Sequence, residues 1–94
     1  MSEGSPRLTV TLIRRFLVAA YRLTEPRRGG WVVGLEEVGR EMGVHDRDLL
    51  EKISGILIVN KDLKQASGAN ELGMFRVTRQ GREKVHRWQR EGRL

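Results

Sequence analysis

The chain has 94 residues, 38% of them apolar, and a net charge of +6, which allows one domain with a modest core. It contains no cysteine, which excludes a disulfide framework and a thiolate metal site, and no apolar run of about 18 residues that could cross a membrane as a helix. The charge is unevenly spread: six basic against two acidic groups in residues 1–30, three against six in 31–60, and nine against four in 61–94. Such a balance attracts polyanions, of which nucleic acid is the usual intracellular one.

The opening residues, Met1 to Pro6, lack a basic segment followed by an apolar stretch, so no secretory signal is visible and a cytoplasmic protein is expected. Residues 1–7 and 92–94 read as flexible ends of a single domain over 8–91. The first helix is expected from Leu8 or Thr11 to Thr24, with Leu12, Ile13, Phe16, Leu17, Ala20 and Leu23 on one face. Ser5-Pro6 and Thr9 are candidate start signals, and Pro26 disfavours helical geometry at Glu25. The opposite face carries Arg14, Arg15 and Arg22 around Val18 and Tyr21, which reads either as a partner contact or as isolated exposed apolar residues.

Pro26 to Gly30 has loop composition, and Trp31-Val32-Val33 has the β-branched and aromatic character of a short strand. Leu35, Val38 and Met42 then mark the buried side of a second helix, with Glu36 and Glu37 near its N-terminus. Gly39 suits a close approach of two helix backbones, Gly43 a sharp turn, and Val44 the corner that closes on the core. Asp46 is the expected N-cap of a third helix whose core side is Leu49, Leu50, Ile53, Ile56 and Leu57. Gly55 would stop this helix early; the persisting periodicity favours a later stop at Asn60 in the left-handed conformation, with a strand opening near Asp62.

Leu63 to Ala66 and Leu72 to Val77 read as two strands joined through Ser67 to Glu71, where Gly68 and Asn70 readily adopt positive φ angles. Thr78 is the expected cap of a last helix. On that helix Val85, Trp88 and Gly81 share an apolar stripe that packs on the domain or on a second subunit, and Arg79, Arg82, His86 and Arg90 share another face. A homodimer through Val85 and Trp88 is the expectation.

Two runs carry a resemblance. Leu35-Glu36-Glu37-Val38-Gly39-Arg40-Glu41-Met42-Gly43-Val44 looks like a helix-turn-helix, and Phe75-Arg76-Val77-Thr78-Arg79-Gln80-Gly81 looks like the junction where a last strand enters a closing helix. In that order they resemble the winged-helix domains of prokaryotic transcription regulators. The resemblance implies an α+β winged helix: a three-helix core with a short strand and a β-hairpin wing, plus a C-terminal helix. It implies binding to double-stranded DNA and regulation by occupying a site. Arg47 and Lys52 would flank the groove, and Lys61, Lys64, Ser67, Asn70, Arg76, Arg79 and Arg82 would hold the backbone.

Asp48, Glu51 and Gly55 occupy the outer face of the third helix, where members of that family usually carry basic or neutral polar residues. Carboxylates there oppose phosphate, which keeps a rival open: a protein interaction module with its partner at the acidic third helix. Neither His45 nor His86 belongs to a cluster of metal-ligand spacing, so no metal, cofactor or enzymatic activity is expected.

Overall fold

The computed structural model describes residues 8–24, 32–66 and 73–92. In chain order the elements are α1 (Val10–Thr24), β1 (Val33–Gly34), α2 (Leu35–Met42), α3 (Arg47–Val59), β2 (Leu63–Gln65), β3 (Met74–Val77) and α4 (Arg79–Arg90). The strands form one antiparallel sheet in the order β1-β3-β2. Four helices on a small three-stranded sheet make this an α+β fold, with a layout compatible with a winged helix. Among the described residues no helix is long and apolar enough to cross a membrane.

Helix α1 starts at Thr9, whose hydroxyl accepts a hydrogen bond from the Leu12 N–H at 3.1 Å. It buries Leu12, Phe16, Leu17 and Ala20, as their spacing predicts, but also Val18, Ala19 and Tyr21. The exposed Val18 and Tyr21 face expected from sequence is therefore absent. The reason is topological: α1 packs against α2, α3, α4 and the sheet, so the covered arc is wider than one stripe. Tyr21 meets α4 edge-on at His86, with its hydroxyl 2.7 Å from His86 Nε2.

The α2–α3 corner follows from its glycines. A Cβ on Gly39 would lie 2.6 Å from the Val44 carbonyl oxygen and 2.7 Å from Leu50 Cδ1, so only glycine permits this approach. Gly43 ends α2 in the left-handed region at φ 77°. The Asp46 side chain then accepts from Leu49 N–H at 3.2 Å, capping α3. Helix α3 runs through Gly55 to Val59, and the later stop is the one observed.

The left-handed residue after α3 is Lys61 at φ 67°, whereas Asn60 stays right-handed at φ −78°. Lys61 N–H donates to Ile58 O and Asp62 N–H to Leu57 O, the paired bonds of a Schellman closure. With the helix ending at Val59, this pattern puts the positive φ one residue beyond Asn60.

Strand β2 pairs with β3 so that Leu63 faces Val77, Lys64 faces Arg76 and Gln65 faces Phe75. Alternation sends Leu63, Phe75 and Val77 into the core and Lys64 and Arg76 to solvent. Ala66 lies just beyond β2, though its N–H still donates to Met74 O. The expected loop over Pro26–Gly30, Trp31 of the first strand, the turn Ser67–Glu71 and the strand start at Leu72 lie outside the described residues.

Thr78 caps α4 by accepting from Gly81 N–H at 3.0 Å. A Cβ at Gly81 would collide with the Asp62 carbonyl oxygen, which holds α4 tightly on the α3–β2 corner. Val85 is fully buried and Trp88 is 9% exposed, both within the chain's own core. The dimer stripe assigned to Val85 and Trp88 is therefore corrected: helix α4 spends it on its own domain, and a second subunit would need another surface.

Candidate nucleic-acid interface

Five cations from three elements surround the base of the β2–β3 ribbon. Lys61 sits in the tight turn after α3, and its carbonyl accepts from the Thr78 hydroxyl at 2.7 Å, which joins that turn to the start of α4. Lys64 and Arg76 are direct cross-strand partners on the solvent face. Arg79 opens α4, and Arg82, one turn on, donates from Nη1 to the Val77 carbonyl at 3.3 Å, at the end of β3. Arg79 is also bonded to Glu83 at 3.4 Å, a pair exposed enough for solvent to screen it.

Two of these placements oppose local stability. Like charges directly across an antiparallel pair repel, and neither Lys64 nor Arg76 has a carboxylate within ion-pair distance among the described residues. Lys61 holds a left-handed backbone that disfavours any residue with a Cβ by about 1–2 kcal/mol. Glycine is the usual occupant of that position, and here it is a lysine.

A buried polar lock keeps this base rigid. Asp62 is 2% exposed; its Oδ2 accepts from Lys84 Nζ at 2.8 Å and its Oδ1 from Gln80 Nε2 at 2.9 Å. Gln80 Nε2 also reaches the Asn60 carbonyl at 2.7 Å. The Asp62 backbone joins in, its carbonyl accepting from Thr78 N–H at 3.1 Å. One carboxylate thus ties the end of α3 to α4 and holds the strand exit at a fixed angle. Asp62, Gln80 and Lys84 were not singled out from the sequence. The available signal was the polar Thr78-Arg79-Gln80-Gly81 junction itself, whose partners lie about twenty residues upstream.

Helix α3 looks different. Asp48, Glu51, Lys52 and Gly55 are exposed on its outer face. Arg47, expected to flank a groove, is held by two carboxylates: its Nη1 lies 3.0 Å from Glu36 of α2 and its Nε 3.3 Å from Glu51. The structure thus groups Lys61, Lys64, Arg76, Arg79 and Arg82 at the ribbon base and leaves Arg47 inside an acidic patch. Lys52 is exposed on α3 without a recorded ion pair, and Ser67 and Asn70 lie outside the described residues.

A surface built this way can hold a polyanion backbone through charge and N–H donors, but it offers few groups to read base edges. No family model, curated protein or solved structure matches the chain.

Proposed function

We propose that this chain is a winged-helix protein that binds double-stranded DNA chiefly through backbone contacts and regulates transcription by occupying its site. The β2–β3 ribbon is the wing, and Lys61, Lys64, Arg76, Arg79 and Arg82 are its phosphate contacts. The observation that carries this reading is the set of cations placed against their own local stability, Lys64 opposite Arg76 and Lys61 in a left-handed turn. Strain and unrelieved repulsion of this kind cluster at binding sites, because the ligand relieves them. Phosphates bridging Lys64 and Arg76 would turn a repulsive pair into two attractive ones.

The test is fluorescence anisotropy with labelled random duplex over a rising salt series. Affinity should fall steeply with salt and differ little among sequences. Affinity that holds constant over a several-fold rise in salt would remove the proposal.

One observation favours a second reading of α3. The Arg47 guanidinium is neutralised by Glu36 and Glu51, which leaves Asp48 and its neighbours as an acidic outer face suited to a basic protein surface. Asp48→Ala and Glu51→Ala separate the two. If they strengthen duplex binding, α3 lies near DNA; if duplex binding is absent throughout and they abolish capture of a protein partner, the interaction module is the correct reading.

A further inference from the structure

Outside the ribbon base, the arginines of α1 line an open trough of about 400 Å³ between α1 and the last turn of α2. Arg14 and Arg15 stand at one end and Arg22 at the other, with Val18, Ala19 and Met42 as the floor between them. Arg15 and Arg22 are seven residues apart, so they are separated by about 10 Å along the helix axis.

Two of the three guanidiniums are already held in place. Arg15 Nη2 donates to the Met42 carbonyl at 2.8 Å, which closes the C-terminus of α2 and orders the side chain while leaving its other N–H donors available. Arg14 lies over the Trp88 ring, 5.4 Å from its centroid. Donors fixed before a partner arrives lose less freedom on binding.

We propose that this trough is a docking surface for an acidic amphipathic helix of a protein partner. The partner helix would present two carboxylates seven residues apart, with apolar side chains at the three-and-four positions between them. A helix lying alongside α1 shares its pitch, so carboxylates at that spacing meet Arg15 and Arg22 while the apolar residues cover Val18 and Met42. The apolar floor and the Glu41 carboxylate on the rim disfavour a phosphate backbone as the occupant. The trough lies on α1 and α2, whereas the five ribbon cations lie on the α3–β2 turn, β2, β3 and α4, so this proposal does not depend on DNA binding.

The test uses the full chain and two fluorescent, lactam-constrained helical peptides of identical composition. The first carries glutamates seven residues apart around two leucines; the second has one glutamate moved off that face. The first peptide should bind with a dissociation constant on the order of tens of micromolar and the second roughly tenfold more weakly. Arg22→Glu, at an exposed position, should weaken the first peptide by at least about tenfold, and Arg14→Ala should weaken it to a lesser degree. Replacing Lys64 and Arg76 with Gln should leave peptide binding unchanged.

Four outcomes would overturn the proposal. They are no binding of the first peptide up to about millimolar concentration, equal binding of both peptides, loss of duplex affinity in Arg22→Glu matching that of the ribbon variant, and self-association of the free chain that Arg22→Glu abolishes. The third would assign the trough to the polyanion footprint, and the fourth to a second copy of the chain.

Discussion

Replacing Lys64 and Arg76 together with Gln should weaken DNA binding while leaving the fold slightly more stable. If all five ribbon cations each neutralise one phosphate, the slope of log affinity against log salt is about −4.5, and removing two brings it to about −2.7. Over a roughly fourfold rise in salt the parent chain then loses about 500-fold in affinity and the double variant about 40-fold. Removing the opposed charges should stabilise the hairpin by a few tenths of a kcal/mol, at most about 1 kcal/mol, because the two side chains are cross-strand partners. Anisotropy titrations of several unrelated duplexes measure the slope, and urea unfolding measures the stability. An unchanged salt slope would refute the assignment of these cations to phosphate. A large change in discrimination among duplexes would refute the claim that they position without reading sequence.

Lys61→Gly should stabilise the chain by roughly 0.5–1 kcal/mol, the left-handed strain relieved less the extra freedom of glycine in the unfolded chain, and should lower the salt slope by about 0.9. Urea midpoints and the same titrations check both signs. Gly81→Ala and Gly55→Ala should move stability in opposite directions. Gly81 would press a Cβ into the Asp62 carbonyl, at a cost of about 1–3 kcal/mol, whereas Gly55 has open space in mid-helix and should gain about 0.5–1 kcal/mol. Lys84→Met should destabilise by about 3 kcal/mol in denaturant unfolding, because it leaves the 2%-exposed Asp62 carboxylate with only Gln80 as a side-chain donor. Glu36→Gln with Glu51→Gln should release Arg47 and, where α3 approaches the duplex, raise affinity several-fold with a steeper salt slope, as titration would show.

Much of the fold was legible because it rests on local rules. The N-caps Thr9, Asp46 and Thr78 each take the hydrogen bond their position predicts. Gly39 and Gly43 each fill a steric role that no larger residue could. The misreadings concern relations across the chain. The periodicity of α1 identifies its most apolar face but cannot say that neighbours enclose Val18 and Tyr21 as well. Trp88 on an amphipathic helix reads equally well as core or as dimer contact, and only the packing of α4 on α1 decides it.

The candidate site divides the same way. Cations could be counted in the sequence, but their usefulness depends on what stands beside them. Arg47 reads as a groove contact until Glu36, eleven residues earlier, is brought to 3.0 Å by the α2–α3 corner. Lys64 and Arg76 read as two unrelated surface charges until the register sets them opposite each other. The Asp62 lock then explains why the cations gather at the ribbon base. A hairpin held only by its own strand pairing could swing and relax the repulsion between Lys64 and Arg76. Asp62 instead joins the end of α3 to Gln80 and Lys84 of α4, and Thr78 bonds back to Lys61 and Asp62. The charges are therefore fixed relative to the helical body. Weakening that lock should blunt the salt slope even where every cation remains, a result that solvated, independent charges would not give.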